Sequence, residues 1–160
     1  MSYRELAPVE MIVTPAECSE IENILSCELA AAEAYREVIA MLDPSSETWK
    51  LELLMHDHQD AVNYWKTQVK TPDHNTRAHL AWSKVLKKIL SKTNPDRDTA
   101  AFKNLRDGEL LEAKLYSDLL NNSSITAAQK SYIKTILLPA HESHLKRLER
   151  MSSHALELAR

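Results

Sequence analysis

A single glycine, Gly108, in 160 residues is the feature that most restricts what this chain can fold into. Glycine's access to positive φ underlies tight hairpins and phosphate-cradling loops, so one glycine leaves little turn or strand chemistry. With one phenylalanine and six prolines beside it, the composition reads as all-α. The glycine falls inside a helical pattern, GELLEAKLY from Gly108 to Tyr116, where it costs about 1 kcal/mol relative to alanine. Small size that lets a neighbouring helix approach is the expected reason. The same stretch places Glu109 and Glu112 where core leucines would be expected, and carboxylates rarely occupy a buried stripe without partners.

The chain is long enough, at 44% hydrophobic residues, to bury one good core, and its length favours a single domain over residues 15–158 behind an N-terminal tail, 1–14. A net charge of -3 and a pI near 6.2 give no general attraction to nucleic acid or to anionic membranes. No run of 18 or more apolar residues occurs, and MSYRELAPVEMIV lacks a basic region followed by an apolar one. Neither a membrane span nor a signal peptide is expected, and the expected location is cytoplasmic. Cys18 and Cys27 lie nine residues apart on one helical pattern, roughly 13 Å at the rise of an α-helix, too far for a disulfide. They read as buried or free thiols in a reducing compartment.

Helix starts are well marked. Thr14-Pro15-Ala16-Glu17 combines an N-cap, proline at the first helical position and glutamate at the third, and Thr126-Ala127-Ala128-Gln129 repeats the box without proline. Asp43-Pro44 and Asn94-Pro95 open two further segments. These signals predict helices over 15–42, 45–70, 96–121 and 127–157. Between the second and third lies a connection of more than twenty residues with its own short amphipathic helix through Leu80, Trp82, Val85, Leu86 and Ile89. Short turns make each flanking pair an antiparallel hairpin, and the long connection can carry the chain from one end of a bundle to the other. An up-down-up-down bundle with a decorated loop is the alternative.

Each helix interrupts its apolar stripe near the middle. The first reads Cys18, Ile21, Leu25, Glu28, Ala32, Tyr35, Ile39, Leu42 in steps of three and four, with Glu28 its one charge. The second reads Leu51, Leu54, His58, Ala61, Trp65. The third reads Phe102, Leu105, Glu109, Glu112, Tyr116, Leu119, and the fourth Ile133, Leu137, His141, His144, Leu148, Met151, Ala155. The interrupting groups are all metal-binding types. His56 and His58, two apart, point about 200° apart on a helix, so only His58 faces inward. His141 and His144, three apart, share a face, and paired imidazoles suit Zn, Fe, Ni or Cu. HESH is not the HExxH of zinc proteases, because its second histidine comes one residue early. Pro139 is expected to kink the fourth helix just before it.

An internal repeat strengthens the pattern. CELAAAEAY, Cys27 to Tyr35, and GELLEAKLY, Gly108 to Tyr116, share Glu-Leu and a tyrosine seven residues after the glutamate. Glu28 then corresponds to Glu109, and Met55-x-x-His58 to His141-x-x-His144. The arrangement resembles the ferritin-like superfamily, in which one Glu from each of two helices and a Glu-x-x-His from each of two others hold a metal pair. More narrowly, AEAY, then HLAW with a Lys-rich crossover, then Asp…GE…Y resembles a bacterial ferritin-like family of unknown function over roughly residues 17–150. The resemblance implies a ferritin-like four-helix bundle of two antiparallel hairpins joined by a long crossover, with Glu28, His58, Glu109 and His144 in ligand places. Met55 and His141 stand where the motif has glutamates. Glu112 and His141 complete the candidate metal set.

Two functional classes follow. The first is a metal-binding bundle for storage, sensing or oxygen-dependent chemistry, its cofactor a divalent ion, Fe, Zn or Ni, and its ferroxidase turnover slow because bridging carboxylates are missing. The second is a non-enzymatic structural or interaction bundle whose Glu/His core cluster is vestigial and metal-free. No catalytic residue is assigned; any enzyme activity would be that of a metal-dependent oxidoreductase. The run Lys84, Lys87, Lys88, Lys92 reads as a solvated face, and Trp49, Trp65 and Trp82 as core or interface anchors. A homo-oligomer is left open.

Overall fold

The computed structural model describes residues 15–44, 46–69, 82–84, 87–88 and 97–158, and these are helical with short connections and no strand among them. Helix α1 spans Pro15–Met41, α2 Ser46–Lys66, α3 Arg97–Leu119, α4 Ala127–Tyr132 and α5 Leu138–Leu158. A π-helical stretch, Ile133–Leu137, joins α4 to α5 so that the three make one continuous rod. Helix α2 stops at Lys66, four residues short of the predicted end. There the chain turns, with Gln68 N–H donating to the Trp65 carbonyl at 2.9 Å. The tail, the cap at Thr14, the Cys18 side chain, Asn94-Pro95 and most of the crossover helix fall outside the described residues, apart from Trp82–Lys84 and Lys87–Lys88, which are helical.

The second capping box forms as the sequence predicts. Thr126 Oγ1 accepts from Gln129 N–H at 3.1 Å, and Gln129 Oε1 accepts from Thr126 N–H at 2.9 Å, satisfying two donors left over at the helix start. Before Pro139, where a kink is expected, the helix widens into the π-helical stretch. Proline lacks an N–H and its ring crowds the carbonyl four residues back, and the widened turn accommodates both. Leu138 N–H accordingly reaches back five residues to the Ile133 carbonyl.

Helix α1 packs along α2, and α3 along α5. Contacts at the ends fix their directions. Arg97 at the start of α3 donates to the Met41 carbonyl at the end of α1. Gln129 near the start of α4 donates to Gln68, just past α2, at 3.0 Å. The first turn of α2 shares a surface cleft with the last turns of α5. Helices α2 and α3 therefore run in the same direction, with the end of α2 and the start of α3 at opposite ends of the bundle. One continuous apolar core joins all four rods, centred on Leu25, Tyr35, Leu51, Trp65, Leu105, Tyr116, Ile133 and Leu148, each 0% exposed. Trp49 departs from the expected anchor role: it is 52% exposed. It lies outside the Leu51–Leu54–His58 stripe, on the face of α2 that turns to solvent.

Trp82 supplies the reason for the single glycine. A Cβ placed on Gly108 would meet the Trp82 indole, 2.5 Å from Cζ3 and 2.8 Å from Cζ2 with Cη2 also in contact. The crossover thus presses an aromatic ring onto α3 where only a backbone without a side chain leaves room. The approaching group is a side chain of the crossover rather than a bundle helix.

Candidate metal centre

The polar residues that interrupt the stripes meet at one place. Glu28 from α1, His58 from α2, Glu109 and Glu112 from α3, and His141 and His144 from α5 are all 3% exposed or less. They arrive together because each sits in the middle of its helix on the inward stripe, and steps of three and four keep that stripe continuous.

His58 stands between the two matched glutamates. Its Nδ1 lies 2.7 Å from Glu28 Oε2 and its Nε2 2.9 Å from Glu109 Oε1. Glu109 is the hub: it also meets His141 Nδ1 at 2.5 Å through Oε2 and His144 Nδ1 at 3.1 Å through Oε1. Tyr35 adds a hydroxyl that donates to Glu109 Oε1 at 2.5 Å. Tyr116 donates to Glu28 and in turn accepts from Trp65 Nε1–H at 2.9 Å. His144 Nε2 lies 2.9 Å from Asp57 Oδ2, whose side chain is half-exposed. Burying so many polar groups is tolerable only because nearly all are paired.

Glu112 is the exception. Its two carboxylate oxygens are buried and neither has a hydrogen-bond partner; the nearest imidazole nitrogen, His58 Nδ1, is 3.8 Å from Oε2. An orphaned carboxyl in a protein interior carries a desolvation cost of roughly 1–3 kcal/mol or more, which favours its neutral form.

The electrostatics divide the carboxylates. For Glu109 burial acts upward, but the charges of His58, His141 and His144 overcome it and hold its pKa well below the usual carboxylate range. For Glu112 burial and then the Glu28 charge push the pKa well above that range, against a smaller opposing effect of His58. His58 is raised well above an ordinary imidazole: burial opposes, and Glu109 and Glu28 outweigh it. His144 is raised in the same way by Glu109 and Asp57 against burial. Asp57 is lowered, chiefly by its bond to His144.

Ligand atoms of His58, Glu109 and His144 lie within 4.8 Å of one another, and so do those of Glu28, Glu112 and His141. Every residue of the sequence-derived metal set thus falls into one of two adjacent trios. His56 is exposed and away from the cluster, as its spacing from His58 requires. Met55 is half-buried against the apolar core rather than among these donors. Sequence reasoning missed Asp57 and the roles of Tyr35 and Tyr116. The repeat did carry a signal for the tyrosines, since both stand seven residues, two turns, after a matched glutamate.

No protein-family model matches this sequence, and comparisons with curated proteins and with solved structures give no significant match.

Proposed function

We propose that the protein is a ferritin-like four-helix bundle that binds a divalent transition metal ion in its core, at the cluster of Glu28, His58, Glu109, Glu112, His141 and His144. The topology supports the first half: two hairpins, joined by a crossover that leaves α2 and α3 running in the same direction, are the connectivity expected of that superfamily. The observation that carries the second half is Glu112, a fully buried carboxylate with no partner for either oxygen, within a set of three carboxylates and three imidazoles.

Three nitrogens against three carboxylates make a set richer in imidazole than the four-glutamate, two-histidine set of iron-oxidising bundles. It favours Zn, Ni or Fe(II) over Mg or Ca. His58, Glu109 and His144 would hold an ion at one position, and Glu28, Glu112 and His141 at the other. Asp57 fixes the His144 ring through Nε2 and leaves Nδ1 facing the cluster. Tyr35 and Tyr116 orient the two matched glutamates. The ion would serve storage, sensing or slow redox chemistry.

A metal-free polar core is the second reading, and the mutual pairing of Glu28, Glu109, His58, His141 and His144 favours it. Elemental analysis of chain purified without a histidine tag separates the two. The metal reading expects bound Zn, Ni or Fe, a melting temperature lowered by chelator, loss of both in Glu109→Ala, and neither change in His56→Ala. Metal-free protein that stays empty after incubation with each ion would reject it.

A further inference from the structure

Three of the chain's five tyrosines and one of its three tryptophans form a single string of touching rings. Tyr132, the last residue of α4, stacks on Tyr64 of α2 with centroids 3.7 Å apart and planes at 18°, and both are half-buried at the edge of the molecule. Tyr64 meets Trp65 edge-on at 4.9 Å, and Trp65 lies nearly parallel to Tyr116 at 6.3 Å. Trp65 and Tyr116 are fully buried. The inner end of the string touches the Glu/His cluster twice: the Tyr116 ring lies 5.5 Å from the His141 ring, and its hydroxyl donates to Glu28 Oε1. Each contact taken singly is ordinary aromatic packing. Their order, from surface pair to buried indole to buried phenol to carboxylate with no saturated gap, makes a path for charge. A hydrogen-bonded thread follows the inner part of that path, because Trp65 Nε1–H donates at 2.9 Å to the same hydroxyl that donates to Glu28.

We propose that Tyr132, Tyr64, Trp65 and Tyr116 are a one-electron relay, through which an oxidant at the surface withdraws an electron from Tyr116 beside the cluster. Its partner is a one-electron acceptor too bulky to enter the bundle, meeting the protein at the Tyr64–Tyr132 pair. The acceptor takes one electron from that pair and is reduced by one. Tyr64 sheds its phenolic proton to water as it is oxidised, and regains one when Trp65 passes on its electron. Trp65 keeps its Nε1 proton, because the only atom it faces there is a hydroxyl oxygen, a poor base. The indole cation so formed draws the next electron from Tyr116, whose proton moves along the existing hydrogen bond to Glu28. The net change is one electron to the acceptor, one proton to the Glu28 carboxylate and a neutral phenoxyl radical on Tyr116. Tyr35 gives the contrast within the same core. It donates to Glu109 as Tyr116 does to Glu28, but its ring touches His58 and Trp82, neither of which belongs to the string. The relay needs no bound ion and stands or falls apart from the metal reading.

Photogenerated tris(bipyridine)ruthenium(III) serves as the probe acceptor. The full-length chain carries Tyr3→Phe and Trp49→Phe, which remove the tyrosine of the tail and the exposed indole at the other end of α2, and it is treated with chelator so that metal content plays no part. Transient absorption and freeze-quenched electron paramagnetic resonance follow the phenoxyl radical. The expected result is a long-lived phenoxyl signal in this parent chain, its absence in Tyr116→Phe, and its loss in Trp65→Phe, where oxidation stops at the surface pair. Should Trp65→Phe fail to fold, the double variant Tyr64→Leu, Tyr132→Leu decides, because it changes only half-buried positions and should lose the long-lived signal by removing the point of entry. A long-lived signal that survives Tyr116→Phe, and so resides on Tyr35, would overturn the relay. So would a Tyr116 radical that forms as fast in Trp65→Phe or in the double variant as in the parent. A parent chain in which oxidation never passes beyond Tyr64 and Tyr132 would overturn it as well, and would leave the metal reading untouched.

Discussion

Glu28, His58 and Tyr35 of the first hairpin match Glu109, His144 and Tyr116 of the second, and each tyrosine donates across to the other hairpin's glutamate. At three further matched positions the hairpins part: Cys27 against Gly108, Ala31 against Glu112, and Met55 against His141. The matched residues make a frame whose hydrogen bonds are mutual. The unmatched ones supply a carboxyl without a partner, an extra imidazole and a buried thiol, and Glu112 and His141 both belong to the trio completed by Glu28. Where the repeat holds, residues pair with one another across the hairpins; where it breaks, further donor atoms are added beside them.

The sharpest way to break that comparison is to treat the matched glutamates as equals. Glu109 serves three imidazoles and a hydroxyl, Glu28 one of each. Removing Glu109 strands buried cationic groups, so Glu109→Ala should cost about 3–5 kcal/mol in urea unfolding of metal-free protein, the scale of breaking a buried ion pair. Glu28→Ala should cost clearly less, because Glu109 still compensates His58. Equal losses would mean that the frame is symmetric and that no hub exists.

A smaller effect tests the Gly108 side. Replacing a mid-helix glycine by alanine ordinarily stabilises by about 1 kcal/mol. Here the added Cβ meets Trp82, so Gly108→Ala should reverse sign and destabilise by about 1–3 kcal/mol, the cost of overpacking. Combining it with Trp82→Leu should recover much of the loss, and a double-mutant cycle reads the coupling. Stabilisation by Gly108→Ala alone would show that Trp82 yields freely.

The effect smallest at any one pH is a slope. In chelator-treated protein the raised pKa of His58 gives stability that is full below the unfolded histidine value of about 6.5 and fades as pH climbs through the folded value. Glu112, raised as well, acts in the same direction from about pH 4.3 upward. Glu109 and Asp57 are lowered and act oppositely, losing their contributions only as pH falls through their folded values. Metal-free protein should therefore be most stable on the mildly acidic side, and Glu112→Gln should flatten its alkaline decline. Metal-loaded protein should show the reverse slope, because ions displace protons from these ligands. Urea midpoints with and without chelator from about pH 5 to about 9 measure both slopes; parallel slopes would contradict a metal held by these groups.

The helices and the inward set were legible because each depends on short-range rules. Thr126 and Gln129 announce a helix start within four residues, and His58 and His56 separate by angle alone. Partner choice was not legible. Tyr35 sits on the same stripe as Glu28, yet its hydroxyl reaches Glu109 on the opposite hairpin, a consequence of how the hairpins face each other. Asp57 lies beside His58 in sequence and points outward enough to be half-exposed, so only the approach of α5 shows that it meets His144. Gly108 was readable as a close approach but not as a bed for Trp82, because the partner comes from a crossover whose path no periodicity encodes.

The π-helical stretch sets the angular phase of the helix that follows. The inward residues of the last rod run Gln129, Ile133, Leu137, His141, three successive steps of four. On an ideal α-helix such steps drift by about 40° each, about 120° in all, which would turn either Gln129 or His141 away from the core. The extra residue in the wide turn at Ile133–Leu137 takes back that rotation. Forcing that turn into regular α-helix with every residue kept would rotate His141 and His144 together off the core, leaving their individual chemistry untouched but aimed elsewhere, whereas deleting one residue there would straighten the ladder and keep both imidazoles in phase.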